Sequence, residues 1–332
     1  MNATETNNKY AKPFSLHLTA EDIIPATEAE KQQLFIMRES VTYWQDAWRR
    51  FKRNKTAMGS LVIILLIAFF AFAGPFLSPY AYDQQIRGAE HLKPCWEHPL
   101  GTDSIGRDML VRNMIGARIS LTIGIFCAFL VLVIGTVYGS IAGYMGGAAD
   151  NIMMRFLEIL YSIPDVLLVI LLQISLKEPL NALFPNSGVG PSLISIFVAF
   201  ALLYWVNMAR MVRGQILTLK QMEYVTAARA MGAGGVHIIK RHLIPNCIGV
   251  IIVTAVFQIA VAIFLESFLS FIGLGVSAPM ASLGSLCSDA LGGIRSYPYL
   301  LFFPAAIISM IILSFNLVGD GLRDAFDPKL KN

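Results

Sequence analysis

The sequence predicts an all-α membrane protein with six transmembrane helices. Of its 332 residues, 55% are hydrophobic and only 14% are charged, whereas a soluble domain carries roughly a quarter charged residues. Several uncharged runs reach the roughly 20 residues that a helix needs to cross the hydrocarbon core of a bilayer. The six predicted spans are residues 58–77, 120–144, 152–176, 192–209, 247–271 and 297–318.

The distribution of basic residues predicts that both chain termini face the cytoplasm. With the N-terminus inside, 9 Lys and Arg residues precede the first span, 1 begins the third, 6 lie in residues 210–246 and 3 follow the sixth. The other 7 of the 26 lie in connections on the opposite side. Because cytoplasmic loops carry the excess of Lys and Arg, this orientation is favoured, and residues 323–332 form a cytoplasmic tail.

Residues 1–57 are predicted to be a cytoplasmic N-terminal segment that ends in an amphipathic helix at about residues 40–56. Trp44, Trp48 and Phe51 recur there at helical spacing beside a cluster of Lys and Arg. Aromatic residues on one face and cations on the other are typical of a helix that lies in the membrane interface. The alternative is a plain basic flank before the first transmembrane helix, residues 58–80.

Residues 81–118 are predicted to form an extracytoplasmic loop. Arg107, Arg112 and Arg118 run against the charge rule, so we expect an interfacial helix that leads into the second span. Cys95 lies in this loop and Cys287 in another outer connection. The two could form a disulfide or stay free, because sequence spacing does not show whether they meet.

The remaining five helices form a core of residues 119–322, and its first helix carries a ridge of glycines. Glycine recurs there at every fourth position, which lets a second helix approach closely. The four positions are Gly135, Gly139, Gly143 and Gly147. Since glycine is common in membrane helices, the ridge predicts a packed face and not an activity.

Three acidic residues fall inside the predicted spans and are candidates for a solute pathway or for buried charge. They are Glu158, Asp165 and Glu266. Ionisable groups in a membrane are costly and mark functional sites by default, although Glu266 is placed toward the outer end of its span, where it could reach the interface. Pro164 and Pro304 interrupt the third and sixth spans. Kinks there could line a pathway, and ordinary bundle packing would explain them as readily.

The sequence contains no motif for enzymatic chemistry. There is no GxxxxGK[ST] phosphate loop, no HExxH pair and no GxSxG elbow, and the five histidines show no zinc spacing. We therefore expect no catalytic residue, no metal site and no bound cofactor in this chain. The net charge of +4 does not indicate a nucleic-acid partner, because the basic residues gather beside membrane segments.

The long polar connection, residues 212–246, is rich in small residues. It contains Glu223, followed by Thr226, Ala227 and Ala228, then Gly232, and thirteen residues later Pro245. A helix that is faced with alanine and stopped by glycine can bring its backbone close to a partner. On the cytoplasmic side, such a helix predicts contact with a soluble subunit.

This connection resembles the EAA loop of permease subunits in ABC importers. The family pattern is Glu-Ala-Ala, three residues, Gly, nine residues and then Ile-x-Leu-Pro. The matching residues here are Thr226-Ala227-Ala228, Gly232 and His242-Leu243-Ile244-Pro245. Threonine stands where the family has glutamate, and Glu223 could supply a carboxylate three residues earlier.

Three further stretches are similar to dipeptide and oligopeptide importer permeases. They are residues 98–108, residues 269–276 and residues 319–328. With the basic-aromatic segment before the first span, they cover the chain from about residue 44 to 330. The similarity is to the second, shorter permease of the peptide/nickel group. Residues 277–287 depart from that group's usual form, which bears proline and tryptophan.

The resemblance implies a type I ABC importer permease fold in the cell membrane of a prokaryote, in contact with lipid. It further implies a second homologous permease, an extracytoplasmic peptide-binding protein, and two cytoplasmic ATPase subunits that bind ATP and Mg. Glu223, Thr226, Ala227, Ala228, Gly232 and Pro245 are then the residues that couple to the ATPases. The alternatives are an importer of nickel or another small solute and, more remotely, a secondary transporter or channel that works alone.

Overall fold

The computed structural model describes residues 42–183, 191–276 and 280–327, and its regular structure over these residues is helical. The chain divides into two units, residues 1–45 and 46–332, and the described part of the first is residues 42–45. The α-helices are α1 Tyr43–Arg53, α2 Lys55–Phe72, α3 Gly74–Leu77, α4 Met109–Met145, α5 Gly147–Tyr161, α6 Asp165–Leu183, α7 Pro191–Leu203, α8 Trp205–Leu219, α9 Glu223–Ala230, α10 Gly235–Ile238, α11 Ile244–Phe271, α12 Leu283–Ala290 and α13 Tyr299–Phe326.

The helical pattern confirms the six-span prediction when one bent pair is counted as a span. Over the described residues, five helical segments are long and apolar enough to cross a membrane, and α5 with α6 makes the sixth. The five are Lys55–Phe72, Met109–Met145, Leu193–Leu219, Gly235–Phe271 and Tyr299–Phe326. Three of them extend well beyond the predicted apolar runs toward the end of the bundle that carries the polar connection.

The second span differs from the prediction because it has no separate interfacial helix before it. Helix α4 is continuous over 37 residues, which is about 55 Å at 1.5 Å per residue. The carboxylate of Asp108 caps it by accepting a hydrogen bond from the N–H of Val111 at 2.9 Å. Arg112 lies within the first turns and is 4% exposed, because its charge is paired with Asp103. Tertiary pairing therefore lets the helix begin where the arginines predicted an interfacial segment.

The third span is bent. Helices α5 and α6 meet at 79°, and Pro164 lies at the break, where its ring disfavours helical geometry at Ile163. Asp165 follows directly and begins α6. Pro304 behaves differently, since α13 continues through it.

Three of the four ridge glycines lie where α4 meets α8. A side chain at Gly135 would come within 2.6 Å of the Cβ of Met208, one at Gly143 would come within 2.9 Å of the carbonyl of Arg213, and one at Gly139 would overlap Ala209. Gly147 departs from the prediction. Its φ is +57° and a methyl group placed on it would meet nothing within 4 Å, because it belongs to the corner between α4 and α5.

The helix before the first span packs on the last one through a small cluster. Phe51 of α1 is 2% exposed and clusters with Ala57 of α2 and with Val318 and Ala325 of α13. Gly321 makes room, since a methyl group there would meet Ala57. The location of α1 in a membrane interface remains a prediction.

The two cysteines of the outer connections are not joined by a disulfide. Cys95 and Cys287 are both free thiols, the first exposed and the second buried.

Candidate functional site

The polar connection contains a short helix that ends in a glycine turn. Helix α9 ends at Ala230 and has Met231 as its C-cap, and the next residue, Gly232, has a φ of +85°. The N–H of Gly232 donates to the carbonyl of Arg229 at 2.9 Å, and the N–H of Ala233 donates to the carbonyl of Ala228 at 3.0 Å. This pair of bonds is a Schellman motif. Glycine is favoured here because the left-handed conformation costs most other residues about 1–2 kcal/mol.

The two faces of α9 have different environments. Val225 and Ala228 are buried, and they belong to the same apolar cluster as Ile238, Leu243 and Cys247. Residues spaced by three and four lie on one helical face, and this spacing joins the exposed positions Glu223, Thr226, Ala227 and Ala230. We call these four the outer face of α9, in the sense that this face of the helix points away from the bundle, on the predicted cytoplasmic side. Ala228 therefore differs from the other predicted coupling residues, because it anchors the helix to its own chain.

The connection is braced against the end of α4. The guanidinium of Arg229 lies 5.3 Å from the centre of the Tyr144 ring, a separation at which cation and ring attract. Gly235 packs against the same ring, and a methyl group there would come within 2.8 Å of it. Lys220 donates to the carbonyl of Gly143 at 2.8 Å. These contacts fix the connection to the bundle without covering the outer face of α9.

Pro245 lies inside a continuous helical run and not at the end of a loop. Residues Ile239–Leu243 form a π turn that joins α10 to α11, and the whole run Gly235–Phe271 has 37 residues. Proline has no N–H, and its ring clashes with the carbonyl four residues earlier in a regular α-helix. A wider π turn before the proline accommodates both effects, so the polar connection passes directly into the fifth span.

Asp165 and Glu158 are both exposed within this chain and do not contact each other. The carboxylate of Asp165 accepts a hydrogen bond from the hydroxyl of Tyr204 at 3.1 Å. Glu158 pairs with Arg155 at 2.8 Å, one turn apart on α5. The break in the third span therefore presents a carboxylate at its corner.

Glu266 does not reach an interface, contrary to the possibility raised by its place in the span. Its side chain is fully buried. The carboxylate accepts hydrogen bonds from the hydroxyls of Ser120 and Ser270, each at 2.8 Å, and from that of Ser267 at 3.4 Å. Of the three acidic residues singled out from the sequence, this one alone is enclosed.

The outer loop contains a charge network that the sequence patterns did not reveal. Asp103 accepts from the backbone N–H groups of Ile105 and Arg107 at 3.0 and 2.9 Å, and from the guanidiniums of Arg107, at 2.6 Å, and of Arg112. Burial raises the pKa of Asp103, but these donors outweigh it and hold its pKa below the usual value. The signal in the sequence was the carboxylate placed four residues before one arginine and nine before the next. Among the described residues, no three His, Cys, Asp or Glu side chains lie together as metal ligands would.

A comparison with protein families assigns the chain. The family described as the inner membrane component of binding-protein-dependent transport systems matches residues 135–332, which include α9 and the whole bundle from the glycine ridge onward. The chain belongs to this family. A second model, the N-terminal transmembrane domain of oligopeptide transport permease C, matches residues 42–94. The assignment makes the chain a multi-pass protein of a bacterial inner membrane, as the apolar helices indicate.

Relatives within the family match along most of their length. The dipeptide transport system permease protein DppC of Bacillus subtilis is 46% identical over 305 residues, which cover 92% of this chain and 91% of that protein. The oligopeptide transport system permease protein OppC of Bacillus subtilis is 44% identical, with 92% and 95% covered. The glutathione transport system permease protein GsiD of Pectobacterium atrosepticum is 37% identical, with 88% and 93% covered.

Proposed function

We propose that this chain is one of two permeases in an ATP-driven importer of short peptides. The observation that carries the proposal is the similarity to permeases named for dipeptide, oligopeptide and glutathione transport along about nine-tenths of the chain. Their named substrates share a peptide backbone with free ends, so we assign that class of substrate here. The chain itself supplies no catalytic residue. ATP and Mg bind to two partner ATPase subunits, and an extracytoplasmic binding protein delivers the peptide.

The outer face of α9 is the proposed contact with an ATPase subunit. Its side chains at Thr226, Ala227 and Ala230 are small and exposed, so a partner can approach the helix backbone closely. Met231 is 82% exposed and Val236 is 67% exposed. Large apolar side chains next to a surface of small residues are typical of an interface. Glu223, at the first turn of α9, provides a carboxylate for the edge of this contact.

The anchoring of α9 supports its movement as a rigid body. Val225 and Ala228 hold it in the core, and the glycine turn passes it to the run Gly235–Phe271. Closure of the ATPase dimer then moves α9 together with the spans on either side of it, α8 and α11. Two stable packings of these spans would give the inward-facing and outward-facing states.

The break in the third span is the proposed contact with the pathway or with the second permease. Asp165 lies at the corner between α5 and α6 and is exposed in this chain. An ionised carboxylate at membrane depth requires water or a partner. We therefore place Asp165 on the wet cavity or on the seam between the permeases, with the exposed pair Arg155 and Glu158 further along α5.

Reconstitution of the assembled importer tests the proposal. The tagged chain is purified with its partners, inserted into liposomes, and supplied with ATP, binding protein and a labelled dipeptide. We expect uptake that requires ATP hydrolysis and that unlabelled peptides compete with. Uptake that nickel competes with and peptides do not would assign a metal importer, and solute movement by the purified chain without ATPase would refute the importer altogether.

A further inference from the structure

The surroundings of Glu266 differ from those of every other described carboxylate. It is completely enclosed, and within the described part of the chain no Lys, Arg or His forms an ion pair with it. Serine hydroxyls surround it instead: those of Ser120, Ser267 and Ser270, and also that of Ser282. A carboxylate is suited to this position because its two oxygens accept about four hydrogen bonds.

The serines come from three separate elements. Ser120 belongs to α4, while Ser267 and Ser270 share α11 with Glu266. Ser282 is the N-cap of α12, where its hydroxyl accepts from the N–H of Ser285 at 3.3 Å. The hydroxyl proton of Ser282 is therefore available for the carboxylate. One side chain thus joins the start of α12 to two membrane spans.

Backbone packing makes this joint tight. Two glycines lie where α12 meets its neighbours. A methyl group at Gly116 of α4 would come within 3.1 Å of the backbone nitrogen of Leu283, and one at Gly284 of α12 would overlap the backbone of Ser267. Close contacts of this kind restrict sliding between elements. The start of α12 is consequently packed tightly against α4 and α11.

The far end of α12 reaches the outer charge network. Asp289, near its C-terminus, lies 3.4 Å from the guanidinium of Arg112, and its side chain is 60% exposed. Helix α12 is thus held at Ser282 by Glu266 and at Asp289 by Arg112. The exposed Asp289 and the half-buried Ser285 and Ser288 are the part of α12 that reaches the surface, on the side that the basic residues predict to be extracytoplasmic.

Glu266 also lies on the helical run that begins at the polar connection. From Gly235 to Glu266 the run rises about 47 Å at 1.5 Å per residue. The segment is continuous from α10 through the π turn to Phe271. A displacement of α9 can therefore reach the outer surface along a single element.

We propose that Glu266 is a positioning residue that links the coupling connection to α12. Its carboxylate ties the N-cap of α12 to α11, so the two helices move together. The arrangement of α12 on the outer surface then depends on the state of the ATPases, and a protein bound at that surface acts on the ATPases by the same route. This inference rests on the proposed function.

The test measures how strongly substrate-loaded binding protein stimulates ATP hydrolysis by the complete reconstituted importer. Glu266→Ala removes the acceptor for all four hydroxyls. We expect stimulation to fall about ten-fold, within the usual range of coupling between sites, while basal hydrolysis and subunit composition stay unchanged. Glu266→Gln keeps the size and one acceptor oxygen, and we expect it to restore most of the stimulation.

A second pair of variants avoids the buried position. Ser282→Ala removes the hydroxyl that contacts Glu266, whereas Ser285→Ala weakens the same helix cap without touching the carboxylate. We expect stimulation to fall several-fold only for Ser282→Ala. Equal stimulation in both serine variants and the wild type would overturn the inference, even if Glu266→Ala failed to assemble. Parallel loss of basal and stimulated hydrolysis would show a merely structural role. A wild-type complex that shows no stimulation and takes up no peptide would instead refute the proposed function, whereas one that takes up peptide without stimulation would overturn the inference alone.

Discussion

The two ends of the helical bundle are stabilised by different interactions. At the coupling end, α9 is anchored by Val225 and Ala228 and by a glycine turn. At the outer end, the loop before α4 is organised by Asp103, which takes four donors, two of them from guanidinium groups. An apolar anchor leaves the opposite face of its helix free for a partner, whereas a buried charge network fails as a unit when one member is removed. Mutations at the outer end should therefore lower the stability of the fold, whereas mutations at the coupling end should weaken binding of the partner.

The largest expected effect is at the outer end. Arg112→Leu leaves Asp103 without its most buried partner, and removal of one member of a buried pair costs about 3–5 kcal/mol. We expect little assembled complex and a strongly lowered melting temperature, measured on detergent-solubilised protein. The matched control is Arg155→Leu, because the Arg155–Glu158 pair is 81% and 55% exposed and such pairs contribute about 0–1 kcal/mol. Equal stability of the two variants would show that the outer network is not essential to the fold.

A substitution at the coupling end should abolish binding of the ATPase subunit and leave the fold of the chain intact. No atom lies within 4 Å of a methyl group placed on Gly232, so the Cβ of the tryptophan in Gly232→Trp meets no atom of this chain and the side chain projects from the end of α9. Its backbone strain is the same as that of most other L-residues at this positive φ. We expect normal membrane insertion and loss of ATPase copurification and of peptide uptake.

Gly232→Asn is the control for the turn, because asparagine tolerates a positive φ better than other side chains. It should retain most ATPase association, while Gly232→Ala is destabilised by about 1 kcal/mol through backbone strain alone. Copurification of normal amounts of ATPase with Gly232→Trp would remove residue 232 from the contact.

The two ends also differ in how much of their structure the sequence predicts. Local patterns were sufficient for the glycine contacts of α4 at Gly135, Gly139 and Gly143, because helix periodicity places these residues on one face. Which face of α9 is buried could not be predicted from such a pattern. It depends on contacts of Val225 and Ala228 with Ile238 and Leu243, and a short alanine-rich helix carries too weak a pattern to show which alanine is buried.

Long-range pairing explains the other differences. The arginines before the second span predict an interfacial helix because the carboxylate of Asp103, which neutralises Arg112, lies outside the helix and outside its local pattern. Pro164 indicates a break in the third span, but the 79° angle between α5 and α6 depends on how the two helices pack. The burial of Glu266 required serines from α4 and from the α12 cap, more than a hundred residues apart in the sequence.

A smaller effect is expected between the two ends, at Asp165. Asp165→Asn keeps the shape and removes the charge, and we expect it to shift the uptake ratio of cationic to anionic peptides about five-fold, as a charge interaction of about 1 kcal/mol would do. Expression should hold. Tyr204→Phe removes the hydrogen bond to Asp165 and leaves the charge, so it should leave the ratio unchanged. A silent Asn variant together with reduced assembly of Asp165→Leu would indicate a structural role.

The smallest effect on activity is expected for the single-cysteine variants that test which end of the bundle faces the cytoplasm. Native Cys95 is exposed and should react with an impermeant thiol reagent in intact cells. In a Cys95→Ser background, Gln221→Cys should resist the same reagent until the cells are opened. Asn186, between the third and fourth predicted spans, is also expected to face outside, but it lies outside the described residues. Protection of Cys95 and labelling of Gln221→Cys would reverse the orientation.

Cross-linking at two adjacent alanines tests the central claim most directly. Ala227 lies on the outer face of α9, and Ala228 is 2% exposed in the core. The account predicts that Ala227→Cys forms a cross-link to the ATPase subunit in the assembled importer and that Ala228→Cys does not. A cross-link from Ala228→Cys alone, or from neither position in a complex that transports peptide, would contradict the proposed docking of α9.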